Sequence, residues 1–284
     1  MSITAAGRTD AGMVRSTNED AYCCLQPLAP FRDAGLYVVA DGMGGANAGE
    51  IASRLAVRVV VREVRSWLAA RAGMDDGDPA LVDDAPEALA GAVLVANREV
   101  FEASRLDPCR AGMGTTITAA LFLAGRLNVA HVGDSRGFLV RRGQIHQITI
   151  DHSLVAELVR NGGITEAEAM VHPQRNVLTR ALGTEPLVAV DIWQEPLQSG
   201  DIMVLCSDGV TRHMSNDDLK RSVLAHDTPG DAAAALVSLG NRRGGADNLT
   251  VVVVFWRAGR WPARPGEPAG LGCGRTTGSD EVLS

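Results

Sequence analysis

The order of apolar patterns along the chain is the feature that most restricts its fold. Apolar residues recur at helical spacing over residues 46–71 and 87–103, and the Asp- and Gly-rich stretch 73–86 between them predicts a loop. From Gly114 onward the pattern changes to short apolar runs separated by Gly-containing turns, which predicts strands. Because these strands do not alternate strictly with helices, they favour antiparallel sheet packed against helices over a doubly wound parallel fold.

The second half of the chain adds further strands, two helices and a tail. Strands are predicted at residues 115–123, 126–132, 136–142, 144–149, 187–193, 201–206 and 249–256. Helices are predicted at residues 217–226 and 231–242. Residues 258–284 are rich in Pro and Gly and have little to bury, so we expect a disordered tail after one domain at 1–257.

Composition excludes several classes of protein. With 284 residues and 46% hydrophobic content, the chain can bury a large core. Asp and Glu exceed Lys and Arg by 34 to 27, which disfavours a nucleic-acid partner. The 5 cysteines lack paired spacing, and no basic-then-apolar leader or membrane-length apolar run is present, so we expect a soluble cytoplasmic monomer without a membrane partner.

Aspartates stand at the ends of several apolar runs. Asp41, Asp134 and Asp208 each follow such a run, and Asp247 precedes another. One Asp-Gly pair is usually only a turn, but carboxylates fixed at strand ends together suit a hard cation such as Mg²⁺ or Mn²⁺. Since the four are far apart in sequence, only the fold can bring them together.

Six short segments carry a resemblance to a known family. They are RSTNED at 15–20, VADGMGG at 39–45, GMGTTIT at 112–118, HVGDSRG at 131–137, CSDG at 206–209 and GADN at 245–248. In this order they resemble the bacterial branch of the metal-dependent protein phosphatases of the protein phosphatase 2C type. The resemblance covers residues 4–255 and implies an α+β fold, a central sandwich of two antiparallel β-sheets flanked by pairs of α-helices in four layers (α-β-β-α).

The resemblance also implies a set of metal ligands. It makes Asp41 the carboxylate that bridges two Mn²⁺ or Mg²⁺ ions, with the carbonyl of Gly42 on one of them. It places Asp208 and Asp247 on the other ion. Asp134 and Asp208 resemble ligands of a third, weaker ion.

Other residues match positions around those ligands. Arg15 matches the arginine that binds the substrate phosphate, and its forked guanidinium suits phosphate oxygens, although an exposed arginine is more often a surface group. Glu19 and Asp20 match residues that act on the metals through water. Asn248 stands next to a ligand, where it could also simply cap a turn.

The implied reaction is the hydrolysis of phosphoserine and phosphothreonine in proteins by a metal-bridged hydroxide, without a covalent phosphoenzyme. Phosphorylated proteins and a cognate bacterial Ser/Thr kinase are the implied partners. Met43 stands where many eukaryotic relatives carry a proton-donating histidine, which leaves the general acid open between a metal-bound water and another group. His152 and His172 flank residues 153–171, which correspond to a mobile flap with a plausible hinge at 161–163.

Three rival interpretations are weaker. Cys206 and Arg212 match the Cys-x5-Arg spacing of cysteine-dependent phosphatases, but Asp208 inside that loop would repel a phosphate dianion. A catalytically weak family member that binds phosphoproteins or metal as a regulatory module is the main alternative. Another acidic metal enzyme, such as a nuclease, would share the aspartates but not the order of the six segments.

Overall fold

The computed structural model describes residues 2–45, 48–75 and 78–257, and the predicted tail at 258–284 lies outside the described residues. The strands are β1 Ser2–Asp10, β2 Asp20–Leu25, β3 Gly35–Met43, β4 Gly114–Thr115, β5 Ile117–Leu123, β6 Arg126–Val132, β7 Arg136–Arg141, β8 Gln144–Gln147, β9 Asp191–Pro196, β10 Ile202–Cys206 and β11 Leu249–Arg257. The helices are α1 Ala48–Ala69, α2 Pro79–Leu106, α3 Leu154–Arg160, α4 Glu166–Val171, α5 Asp208–Thr211, α6 Asn216–Leu224 and α7 Pro229–Arg242.

The strands form two antiparallel sheets. The first has the order β1-β11-β10-β7-β8, and the second has the order β2-β3-β5-β6-β9 with β4 paired to β3. Strands β5 and β6 are joined by a tight turn, as the sequence predicted, but β1 joins its sheet beside β11 from the other end of the described chain. Each sheet therefore brings together segments that are remote in sequence.

Three apolar clusters separate the structure into four layers. One lies between the sheets and includes Tyr37, Phe122 and Trp256. Another joins α1 and α2 to the second sheet, and the third joins α6 and α7 to the first sheet. This arrangement confirms the predicted α+β sandwich with helices on both outer faces. Among the described helices, none is both long and apolar enough to cross a membrane.

The structure corrects two of the predicted boundaries. The predicted loop at 73–86 is wrong from Pro79 onward, because α2 begins there with the Asp78 side chain accepting a hydrogen bond from the Ala80 N–H. Pro86 lies inside the helix, and the apolar period runs through Leu81. The predicted strand at 187–193 begins only at Asp191, since Val188 and Val190 before it pack against the apolar cluster of α1 and α2 instead of pairing.

The layer between the sheets is where we expect a side-chain truncation to be costly. Phe122 is 1% exposed, and its ring lies 5.3 Å from that of Tyr37 and 6.2 Å from that of Trp256. Phe122→Ala should lower the free energy of unfolding by about 3–5 kcal/mol, because it removes an aromatic ring from a packed core. Urea unfolding measures this, with Leu106→Ala at an 85% exposed position as the control. Equal stability of the two variants would contradict this account of the core.

Candidate metal centre and active site

Strand ends from both sheets bring the predicted aspartates together. Asp41, near the end of β3, pairs directly with Asp20 at the start of β2 in the second sheet. Asp208 follows β10 and Asp247 precedes β11, which are neighbours in the first sheet. Ser207 donates a hydrogen bond of 2.8 Å to the Oδ2 of Asp20 and so links the two sheets at this end. Residues that are widely separated in sequence therefore meet at one end of the sandwich.

The electrostatics show that these acids form one group, here called the carboxylate cluster: Asp20, Asp41, Asp134, Asp208 and Asp247. Burial raises the pKa of Asp41 well above its usual range, and the charges of the other four acids raise it further. Burial, followed by neighbouring acids, raises the pKa of Asp20 to about 7. The same causes raise the pKa of Asp134 to about 8. The neighbouring positive groups therefore do not offset the cost of burying these acids in their ionised form.

The chemistry of the cluster fits a hard divalent cation. Its ligand atoms are oxygens, which Mg²⁺ and Mn²⁺ prefer. The Oδ1 of Asp20 is buried and makes no hydrogen bond within the described part of the chain. Across residues 2–45, 48–75 and 78–257, however, no three acidic, histidine or cysteine side chains are already closed around one point. Two arginines contact part of the cluster instead.

Arg15 holds Asp247 through both arms of its guanidinium. Its Nε lies 2.9 Å from Oδ1 and its Nη2 donates a hydrogen bond of 3.0 Å to Oδ2. The Arg15 side chain is 52% exposed, so the group lies between the cluster and solvent. This position is consistent with the predicted phosphate-binding role, because the fork can turn toward an anion at the rim.

Arg212 was missed as a site residue by sequence reasoning, which considered it only in the cysteine-phosphatase loop. Its Nη2 contacts Asp208, and its Nη1 donates a hydrogen bond of 3.2 Å to the Oδ2 of Asp247. The signal was present in the sequence, since residues four apart on a helix lie on the same face. It required knowing that a helical turn begins at Asp208.

Asn248 fixes the segment that carries Arg15 and Glu19. Its Oδ1 accepts a hydrogen bond of 2.9 Å from the Glu19 N–H, and its Nδ2 donates to the carbonyls of Ala11 and Thr17 at 3.0 and 2.9 Å. Glu19 is partly buried, and burial raises its pKa. Asn248 therefore hydrogen-bonds to the backbone on both sides of Arg15. The sequence alone had suggested only that it could cap a turn.

Gly42 lies where only a glycine fits. A Cβ at this position would be 2.1 Å from the Gly49 carbonyl oxygen and 2.6 Å from that of Glu19. The Gly42 N–H donates to the same Glu19 carbonyl at 3.1 Å. Met43 follows it and packs its side chain toward Gly114 of β4. Close backbone packing thus accounts for the glycine next to Asp41.

The two candidate histidines are engaged elsewhere. His152 is buried, its Nδ1 accepts a hydrogen bond from the Gly133 N–H at 3.0 Å, and its Nε2 lies 3.1 Å from Asp191. The Nδ1 of His172 accepts from the Gln174 N–H at 3.1 Å, at the end of α4. The predicted flap contains α3 and α4, and Gly162 between them has a φ of 72°. Motion of this segment stays a prediction.

Cys206 is buried at the end of β10, and burial raises the pKa of its thiol to about 12. A thiol with such a raised pKa supplies almost no thiolate near neutral pH, and the thiolate is the nucleophile that a cysteine-dependent phosphatase needs. The other half of the Cys-x5-Arg pattern, Arg212, points to carboxylates. The site therefore argues against the cysteine mechanism.

Comparison with known proteins decides the family. A family model described as protein phosphatase 2C matches residues 16–235. The chain belongs to the protein phosphatase 2C family. The matched segment includes Asp41, Asp134 and Asp208, while Arg15 and Asp247 lie outside it and join the site through the contacts described above.

Bacterial members of the protein phosphatase 2C family resemble the whole described chain. Over 250 residues, 87% of this chain and 93% of the relative, the identity to Serine/threonine phosphatase stp of Listeria monocytogenes serotype 4b is 36%. The structure of the S. agalactiae serine/threonine phosphatase matches with a TM-score of 0.78 and 37% identity, covering 89% of this chain and 99% of that chain. The catalytic domain of the phosphatase PstP in complex with 2 manganese ions matches with a TM-score of 0.75 and 33% identity, covering 90% and 99%.

The raised pKa values predict how stability depends on pH without divalent metal. Above about pH 7 an unfolded histidine is already mostly neutral, and burial keeps His131 and His152 neutral in the folded state as well. Asp134, whose pKa is raised to about 8, retains a proton in the folded state that the unfolded chain has released, and Asp20, whose pKa is raised to about 7, does so in part. Stability should therefore fall as pH rises through the window between about pH 7 and 8, by about 1.4 kcal/mol per pH unit for each extra proton.

Urea unfolding in chelator at the two ends of this window measures the effect. Asp134→Asn should show a smaller dependence on pH, since one of the titrating groups is gone. Saturating Mn²⁺ should also reduce the dependence, because a bound cation keeps its ligands ionised. Stability that rises with pH in chelator would contradict the assignment of protonated acids to the folded cluster.

Proposed function

We propose that residues 1–257 form a phosphatase domain that hydrolyses phosphoserine and phosphothreonine in cytoplasmic proteins and opposes a bacterial Ser/Thr kinase. The observation that carries the proposal is the buried carboxylate cluster with a forked, half-exposed Arg15 at its rim. Family membership supports the same reaction class, and a relative with two manganese ions supports the metal. The acidic chain does not favour a polyphosphate substrate such as nucleic acid.

In this proposal, the cluster holds two Mn²⁺ or Mg²⁺ ions. Asp41 binds both, the Gly42 carbonyl binds one, and Asp208 and Asp247 bind the other. Asp134 and Asp208 hold a third ion more weakly. Once bound, the ions supply positive charge to the phosphoryl oxygens and activate a water molecule for in-line attack.

The side chains around the cluster position the substrate. Arg15 turns from Asp247 to the phosphate and holds its oxygens with two parallel hydrogen bonds. Asn248 and the Glu19 backbone keep the Arg15 segment in place while this happens. Glu19 and Asp20 act on the ions through water, and the buried Oδ1 of Asp20 is available for that contact.

The proton for the leaving alkoxide comes from water in this proposal. Met43 has no proton to donate. Both ring nitrogens of His152 are engaged with protein groups, and His172 caps the end of α4. Because water is the proposed nucleophile, the reaction needs no covalent phosphoenzyme.

One observation favours a second candidate, a regulatory module that binds phosphoproteins or metal with little turnover. Arg15 and Arg212 both contact carboxylates that the proposal assigns to metal. A chain whose arginines kept these acids from the metal would hydrolyse little phosphoprotein. Turnover measurements separate the two candidates.

Hydrolysis of a phosphothreonine peptide should require added Mn²⁺ or Mg²⁺ and stop when chelator is added. The reason is that the proposed nucleophile is a water molecule activated by the bound ions. Folded Cys206→Ser should keep most of the activity and serves as the control against a thiolate mechanism. Undiminished turnover in chelator would refute the metal-dependent reaction, and loss of turnover in the folded control would revive the cysteine.

The aspartates should contribute unequally. Asp41→Asn should lower turnover by about a hundredfold or more, because the residue is proposed to organise both central ions. Asp134→Ala should lose less at saturating Mn²⁺, since it is proposed to hold only the weaker ion. A manganese titration of turnover and a calorimetric count of bound ions test both variants. Near-normal turnover in Asp41→Asn, together with lost metal binding in Asp134→Ala, would mean that the ligand roles are wrongly assigned.

A further inference from the structure

Arg212 contacts the two carboxylates that the proposed function assigns to one divalent ion. Its guanidinium pairs with Asp208 through Nη2 and lies 3.2 Å from the Oδ2 of Asp247 through Nη1. Its charge also lowers the pKa of Asp134, against the effect of burial. A single arginine thus partly offsets the negative charge of three members of the carboxylate cluster.

The backbone holds Arg212 in this position. Asp208 opens α5, and the Arg212 N–H donates a hydrogen bond of 2.8 Å to the Asp208 carbonyl one turn earlier. The two side chains therefore lie on the same face of the turn. The Arg212 side chain is 32% exposed, against 52% for Arg15, so Arg212 lies deeper than the arginine assigned to phosphate.

A guanidinium and a metal ion cannot use the same carboxylate oxygens fully at the same time. A guanidinium has only hydrogen-bond donors, so Arg212 cannot become a metal ligand itself. A divalent ion that binds Asp208 and Asp247 must displace it from at least one of them. Removing its positive charge would leave the cluster more negative and more favourable for a cation.

We propose that Arg212 is a built-in counter-cation that competes with the divalent ion for Asp208 and Asp247 and so lowers the metal affinity of the site. The proposal rests on the proposed function in its assignment of these two ligands. As a consequence, the site fills at higher free concentrations of Mn²⁺ or Mg²⁺ than it would if the acids had no arginine partner. Arg212 is thus a positioning residue for the ligands, distinct from the phosphate-binding Arg15.

Calorimetric titration of the metal-stripped full chain with Mn²⁺ tests the proposal directly. Arg212→Gln should bind the first Mn²⁺ about tenfold more tightly than the wild type. The matched control is Arg62→Gln, because Arg62 also contacts two carboxylates, Glu63 and Glu99, but on the outer surface of α1 and α2. The control should stay within about twofold of the wild type, since its charge is screened from the cluster.

The rise in melting temperature on adding Mn²⁺ is a readout that a merely structural role would not change. In chelator, Arg212→Gln should melt at a lower temperature than the wild type, because the carboxylates lose their partner. The rise in melting temperature on adding Mn²⁺ should be larger for the variant than for the wild type. If Arg212→Gln does not fold, Arg212→Lys keeps the charge but loses the fork, and it should show a smaller change in the same direction.

Several outcomes would overturn the proposal. Equal or weaker Mn²⁺ affinity in folded Arg212→Gln would do so, as would an unchanged Mn²⁺-induced rise in melting temperature. Weaker binding of inorganic phosphate with unchanged Mn²⁺ affinity would assign Arg212 to the substrate instead. Tighter Mn²⁺ binding in a protein that hydrolyses no phosphopeptide would support the counter-cation while refuting the proposed enzyme, so the two failures are distinguishable.

Discussion

Repulsion among the acids of the carboxylate cluster is the constraint on which the arrangement of this end of the sandwich depends. Asp20 and Asp41 are direct partners across β2 and β3, and like charges at such positions are destabilising. Burial adds to the cost, since each ionised group loses its hydration. The raised pKa values of Asp20, Asp41 and Asp134 show that the cost is not offset by the neighbouring side chains. Positive charge, from arginine or from metal, therefore stabilises the ionised form of the cluster.

The rest of the molecule supplies the rigidity that keeps these acids close. The two sheets are joined by an apolar layer that includes Tyr37, Phe122 and Trp256, so their ends cannot separate to relieve the repulsion. At the site itself, Ser207 bonds to Asp20 across the sheets. Asn248 ties the Arg15 segment to the start of β11. The apolar layer and the Asn248 contacts do not depend on the charge of the acids, so they hold this end of the sandwich in any protonation state.

The sequence patterns predicted the types of the secondary-structure elements better than they predicted the contacts between them. Period and turn signals placed most of the strands and both later helices, but they missed the first turns of α2. The Asp- and Gly-rich stretch 73–86 was interpreted as a loop, although Leu81, Ala85 and Pro86 within it are buried. Strand-end aspartates indicated a metal site, and their order within six segments indicated the family. What spacing could not supply was the register that sets Asp20 opposite Asp41, or the turn that brings Arg212 onto Asp208, since both depend on backbone pairing.

In the proposed site, the two arginines on Asp247 would connect metal binding to substrate binding. Arg15 and Arg212 both donate to the Oδ2 of Asp247, so a cation that binds this carboxylate would weaken both of these ion pairs. Arg212 is fixed by the helical turn and retains Asp208 nearby, whereas Arg15 sits on an exposed segment anchored at its ends by Asn248. Once Asp247 is occupied by metal, Arg15 is therefore the group that is released to solvent with its fork unpaired. If the proposed ligand roles hold, the metal prepares the phosphate-binding residue as well as the water, and binding of substrate without metal is disfavoured by the same ion pair.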